Sequence, residues 1–215
     1  TYLERDIPQF GPRIPVETLD RFWTMLAHHQ GAPLNASVLA QSLEVSSVTI
    51  GRYLDLMVDL LLVRRLRPFT FNIEKRLVRA PKVYVRDSGL CHALLNIPDL
   101  NNLLGHPVLG GSWEGFVIEN LLSVVPFGVQ PFYYRTASGA EIDLILEFST
   151  TERWAIEIKR GTAPRLSKGF YTACEDVRAT RRFAVYGGSD TFQMQQDVLA
   201  IPLSGLMQLL ASSSL

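Results

Sequence analysis

Apolar residues return every three or four positions in the first quarter of the chain, the period of a helix rather than of a strand. Leu19, Phe22, Trp23, Leu26 and Ala27 form one such stripe, opened by Pro15 and stopped by Gly31 and Pro33. Asn35 is placed to cap a second, short helix carrying Val38, Leu39, Ala40 and Leu43. A turn at Glu44-Val45-Ser46 follows, and Ser47 opens a third helix with Ile50, Tyr53, Leu54, Met57, Val58 and Leu61. Two short helices joined by such a turn make a helix-turn-helix. Residues 63–69 and 82–85 then read as two strands with a basic loop between them, the outline of a wing.

The pattern changes after a loop at 96–111, which holds Pro98, Pro107 and three glycines. Gly110-Gly111-Ser112 starts a helix over 113–125 that is apolar on most sides, with Glu114 and Glu119 as its only charges. Strands are expected at 132–136, 140–148 and 153–159, a helix at 166–176 and a strand at 182–186. A short apolar strand at 198–202 and a helix from Ser204 close the chain. The expected class is α/β. A winged helix-turn-helix at 17–95 follows a leading segment 1–16, and a linker at 96–110 leads to an α-β-β-β-α-β domain with a mixed sheet at 111–215.

Composition adds little to this, but charge distribution does. The 215 residues are 47% apolar with a formal net charge of zero, enough to bury a core and without a global pull toward nucleic acid. Between Arg64 and Arg86, however, eight Lys or Arg stand against Glu74 alone. From Leu109 onward, nine basic residues face eleven acidic ones. Cys91 and Cys174 are isolated, without metal-ligand or CxxC spacing, which fits free thiols in a reducing cytoplasm. No apolar run reaches the ~20 residues of a membrane span, so no membrane partner is expected. The first residue is Thr1 rather than Met, as in a piece of a longer protein.

The most informative chemistry lies in the strands at 140–148 and 153–159. Strand side chains alternate between faces, so Ile142, Leu144 and Leu146 should share one face and Glu141, Asp143 and Ile145 the other. If the turn is short and centred near Thr150, Asp143 lies directly across from Glu157. Facing residues have Cβ atoms roughly 4.5–5.5 Å apart, close enough for two carboxylates to repel. A hard divalent cation resolves that conflict, and Mg²⁺ is often held by one or two carboxylates. Lys159, on the same face as Glu157, adds a positive charge beside it.

Asp143 with Glu157-x-Lys159 on the next strand resembles the active site of the PD-(D/E)XK nuclease superfamily. The resemblance implies a restriction-endonuclease-like domain. In it Asp143 and Glu157 bind Mg²⁺ or Mn²⁺, and Lys159 activates a water or stabilises the phosphate. A glutamate from the first helix completes that family's site. Glu114 occupies the matching position, whereas Glu119, about 140° around the helix, reads as a surface residue.

In the first part, Ala36-x-x-Leu39-Ala40-x-x-Leu43-x-Val45-Ser46-x-x-Thr49-Ile50-x-x-Tyr53-Leu54 resembles the helix-turn-helix family pattern. Its third helix offers Thr49 and Arg52 to DNA, but also Asp55 and Asp59, which repel phosphates. Arg64, Arg65, Arg67 and Arg76 could contact phosphates without reading sequence.

Across the whole chain, five ordered strings resemble the C-terminal half of a large prokaryotic family of AAA-type ATPases with an uncharacterised C-terminal module. They are Tyr2-Leu3-Glu4-Arg5-Asp6; Lys75-Arg76-Leu77-x-x-Ala80-Pro81-Lys82-Val83-Tyr84-x-x-Asp87-Ser88-Gly89-Leu90; Gly111-x-x-Glu114-x-Phe116-Val117; Arg135-x-x-x-Gly139-x-Glu141-x-Asp143; and Ile156-Glu157-Ile158-Lys159. The resemblance implies an N-terminal ATPase domain in full-length relatives, with 1–16 as the linker from it. No GxxxxGK[ST] loop is present, so ATP binding is not assigned to these residues. Two functions compete: a Mg²⁺-dependent nuclease-like DNA-processing module, and a non-catalytic DNA- or protein-binding module on the same scaffold. A sequence-specific transcription regulator is a third reading, poorly supported by the acidic third helix.

Overall fold

A computed structural model describes residues 15–70 and 76–212. The Tyr2-to-Asp6 string, most of the 1–16 segment and Lys75 lie outside the described residues. The protein is mixed α/β, and its described strands form one eight-stranded mixed sheet in the order 82–85, 63–68, 130–135, 141–147, 153–158, 181–186, 198–202 and 192–193. Two compact units are distinguished. One runs through Arg65 and resumes at Val83–Gly115; the other comprises Leu66–Lys82 and continues from Phe116.

The first unit is built from α1 (Val16–His28), α2 (Ala36–Ser42) and α3 (Ser47–Asp59). Every residue of the first apolar stripe, from Leu19 to Ala27, is buried. Phe22 meets Tyr53 of α3 edge-on, with ring centroids 5.8 Å apart. Asn35 caps α2 by accepting the Val38 N–H at 3.2 Å, and Ser46 caps α3 by accepting that of Thr49 at 3.1 Å. Each such cap stabilises its helix by about 1 kcal/mol. Strands β1 (Val63–Pro68) and β2 (Lys82–Val85) follow where the apolar pattern put them.

The stretch expected as a linker carries more structure than its prolines and glycines suggested. Helix α4 (Ser88–Leu94) is capped by Asp87, and α5 (Leu100–Leu104) lies inside 96–110 and is capped by Asp99. Their acidic caps, with Leu90/Leu94 and Leu100/Leu104 one turn apart, are the local signal. Helix α6 (Leu109–Val124) begins earlier than expected, with Gly110 and Gly111 inside it. A Cβ on Gly111 would sit 2.2 Å from the Gln30 carbonyl oxygen, so the close approach of backbone there requires glycine.

The second unit contains β3 (Gln130–Arg135), β4 (Glu141–Glu147), β5 (Arg153–Ile158), α7 (Lys168–Asp176), β6 (Arg181–Tyr186), β7 (Phe192–Gln193), β8 (Val198–Pro202) and α8 (Leu203–Ser212). From α6 to β6 the chain order is the expected α-β-β-β-α-β. Strands β3, β4 and β5 are antiparallel neighbours, and β6 and then β8 add in parallel. Helix α7, capped by Ser167, packs Phe170, Ala173 and Cys174 with Tyr134, Ile142, Ile145, Ala155 and Ala184.

One face assignment is corrected. Ile142 packs in the same cluster as Ile145, not with Leu144 and Leu146 on the opposite face. The register explains it. Phe132 pairs Ile145 and Tyr134 pairs Ile142, so Asp143 and Leu144 together oppose the single residue Tyr133. This β-bulge shifts the alternation by one residue and re-aims the side chains around it.

Candidate functional site

The hairpin turn fixes the site. Glu147 pairs Arg153, Leu146 pairs Trp154, Ile145 pairs Ala155 and Leu144 pairs Ile156, a ladder symmetric about Thr150. The paired ladder ends one step before Asp143 and Glu157. There the carboxylate intervenes: Asp143 Oδ2 accepts the Ile158 backbone N–H at 2.9 Å. The bulge opposite Tyr133 falls at the same residue.

Both acids are buried, Asp143 at 9% and Glu157 at 7% exposure. Glu157 Oε1 accepts a hydrogen bond from Lys159 Nζ at 2.8 Å, while its buried Oε2 has no hydrogen-bond partner. Loss of hydration raises the Asp143 carboxyl above its ordinary value, against the opposing pull of Lys82. Burial, and then the Asp143 charge, push the Glu157 carboxyl from 4.5 up to about 8, with Lys159 pulling the other way. A buried acid with an orphaned oxygen is an arrangement that packing alone does not favour.

Two residues that the motif did not single out complete the cluster. Lys82 Nζ lies 3.1 Å from Glu141 Oε1 and 3.7 Å from Asp143 Oδ1, and its side chain is only 3% exposed. It also stands 5.5 Å from the centre of the Tyr133 ring. Glu141 is approached in turn by Arg135 Nε at 3.7 Å. Although Lys82 belongs to the basic stretch between Arg64 and Arg86, where a solvated face is expected, it is buried. The sequence signal for Glu141 was present, two residues from Asp143, but nothing in the sequence linked it to a lysine 59 positions away.

Glu114 belongs to the first unit, where its Oε1 accepts the Tyr84 hydroxyl at 2.6 Å. Among the described residues no group of three or more His, Cys, Asp or Glu side chains is arranged to hold a metal ion. The second-unit donors still suit a hard cation. Asp143 Oδ1 and the unpaired Glu157 Oε2 are carboxylate oxygens, and Mg²⁺ commonly takes one or two of these while keeping waters.

The expected nucleic-acid residues do not form one uniform surface. In the first unit, Arg52 is exposed on α3, while Thr49 is half-buried with its hydroxyl 2.8 Å from that of Ser46. Arg65 forms an ion pair with Asp55 at 2.7 Å, so one of the acids expected to repel phosphate neutralises a base instead. Arg64 is half-buried. In the second unit Arg67 and Arg76 are exposed. Cys91 and Cys174 are buried free thiols, held by burial at about 11 and about 12, which makes them poor nucleophiles. No described helix is long and apolar enough to cross a membrane.

Residues 1–101 match the family described as a domain of unknown function, DUF8612, and residues 109–206 match a second, DUF4143. An uncharacterized protein of Mycobacterium tuberculosis and another of Mycobacterium bovis are each 44% identical over 208 residues, covering 96% of this chain and 46% of the relative. No solved structure matches the chain. The chain thus spans about half the length of the curated relatives it matches, and its two halves resemble two domain families of unknown function.

Proposed function

We propose that the second unit is a divalent-metal-dependent, PD-(D/E)XK-type module acting on DNA phosphodiesters, joined to a winged helix. The observation that carries this reading is a buried Glu157 that feels the charge of buried Asp143, with its Oε2 unpaired and its Oε1 holding Lys159. The α-β-β-β-α-β order and the antiparallel-then-parallel pairing support the nuclease-like fold. Asp143 and Glu157 are the residues that would hold Mg²⁺ or Mn²⁺, whose chemistry is to acidify a bound water and polarise a phosphoryl oxygen. Lys159 would stabilise negative charge developing on the phosphate. Glu114 belongs to the first unit, where Tyr84 engages it, and is left out of this site.

DNA would be met through phosphates rather than base edges. Arg52 on one unit and Arg67 and Arg76 on the other are exposed cations suited to sequence-independent contacts. An N-terminal AAA-type ATPase in full-length relatives would move or position that substrate in the cytoplasm. The test is a calorimetric titration of Mn²⁺ into the purified chain beside Glu157→Ala, followed by incubation with single- and double-stranded DNA. Metal binding that Glu157→Ala abolishes, together with chelator-sensitive cutting, supports the proposal. Absence of both in the wild type defeats it.

A specific observation also favours the non-catalytic reading. Lys82 and Lys159 already neutralise the carboxylates, and no described trio of ligands surrounds them. On that reading the cluster is a structural ion network, and the same titration shows no metal binding.

A further inference from the structure

Three carboxylates, Glu141, Asp143 and Glu157, share the site with the ammonium groups of Lys82 and Lys159. Lys159 is partly exposed, at 36%, and serves Glu157. Lys82 is almost fully enclosed, at 3%, and lies between two acids. A buried ammonium needs an ionised partner at all times, because desolvating it alone is far costlier than any single contact returns. Asp143 alone could supply that partner, yet the chain places Glu141 nearer, at 3.1 Å against 3.7 Å. Glu141 is also the more exposed of the two acids, with 32% of its side chain accessible. A second acid this close to Lys82 is redundant unless Asp143 has other work.

We propose that Lys82 is a positioning residue of the site, an internal counter-cation shared by Asp143 and Glu141. It would relinquish Asp143 and rest on Glu141 when a divalent cation takes the Asp143 and Glu157 oxygens. This rests on the metal-dependent reading above and goes beyond the Asp-Glu-x-Lys motif, which contains neither Lys82 nor Glu141. The geometry supplies the reasons. Asp143 Oδ2 is occupied by the Ile158 N–H, so Oδ1, the oxygen facing Lys82, is the one left for a cation. The orphaned Glu157 Oε2 supplies a second oxygen. Lys82 therefore competes for the same atom a metal would use, and Glu141 sets how readily it yields.

Opposite effects on metal affinity follow for the two partners. Lys82→Met removes a full positive charge from a buried cation site, so Mn²⁺ should bind at least about tenfold tighter. Glu141→Gln takes from Lys82 the carboxylate nearest it, so Lys82 holds Asp143 more tightly and Mn²⁺ should bind about tenfold more weakly. In the Lys82→Met, Glu141→Gln double variant the penalty from Glu141→Gln should largely vanish, since that residue acts through Lys82. The experiment is calorimetry of the whole chain with Mn²⁺ for these three variants and the wild type, with circular dichroism as the folding control. If Lys82→Met does not fold, the Glu141→Gln measurement stands alone, and an unchanged affinity there overturns the proposal. Wild-type binding lost in Glu157→Ala but unaltered in Lys82→Met leaves the metal reading standing and rejects the role of Lys82. Absence of binding in every protein rejects both. Binding that emerges only in Lys82→Met supports the proposal most directly.

Discussion

Replacing Glu157 by Gln should stabilise the metal-free protein at alkaline pH and leave it nearly unchanged at acid pH. The carboxyl is pushed from 4.5 up to about 8 by burial and by the Asp143 charge. A carboxyl raised in the folded state contributes stability that is complete below pH 4.5 and is lost as pH rises through about 8. Each pH unit across that interval is worth about 1.4 kcal/mol, so its width of about 3.5 units sets a ceiling near 5 kcal/mol. Asp143 and Glu157 titrate together and Lys159 screens the pair, which brings the expected gain at pH 8.5 to about 2–3 kcal/mol. At pH 5 Glu157 is largely protonated and Gln is its neutral near-isostere, so the two proteins should agree within about 1 kcal/mol. Urea denaturation in chelator at pH 5, 7 and 8.5, followed by tryptophan fluorescence, measures the gap. Trp154 on β5 is 1% exposed and will report on the second unit. A gap that does not widen with pH, or a wild type that gains on the variant from pH 5 to 8.5, refutes the reasoning. With saturating Mn²⁺ the order should reverse, because a ligand that binds only the folded wild type stabilises it by mass action.

Other expectations follow from the same geometry. Asp143→Ala and Glu157→Ala should abolish Mg²⁺-dependent DNA cutting in a nicking assay, whereas Lys159→Ala should lower the rate about 10²-fold with Mn²⁺ affinity little changed. DNA affinity should fall steeply with salt, and Arg67→Ala should reduce the slope more than Arg65→Ala, because Arg65 is paired with Asp55; fluorescence anisotropy over a salt series checks this. Gly111→Ala should destabilise the first unit by about 1–3 kcal/mol in a urea melt, since its Cβ would collide with the Gln30 carbonyl.

The helices and strands that were legible in the sequence are those whose burial repeats over several periods. Leu19 to Ala27 on α1 and Ile50 to Met57 on α3 announce their buried faces by spacing alone, and Asn35 and Ser46 mark where helices start. The order of elements from α6 to β6 is equally local, as is the turn about Thr150 that sets the register from Glu147 and Arg153 to Leu144 and Ile156. Helices α4 and α5 escaped although Asp87 and Asp99 mark their starts and Leu90/Leu94 and Leu100/Leu104 lie one turn apart. The bulge opposite Tyr133 was invisible because alternation in one strand says nothing about an extra residue against its neighbour. The sequence could likewise place Lys159 beside Glu157, two residues apart on one strand. It could not place Lys82 between Glu141 and Asp143, because that contact joins separate strands across 59 and 61 positions. Side-chain periodicity fixes which residues share a face of their own element only where no bulge interrupts it. Which charges meet, and which buried oxygen is left unpaired, is decided only when the tertiary fold brings different elements together.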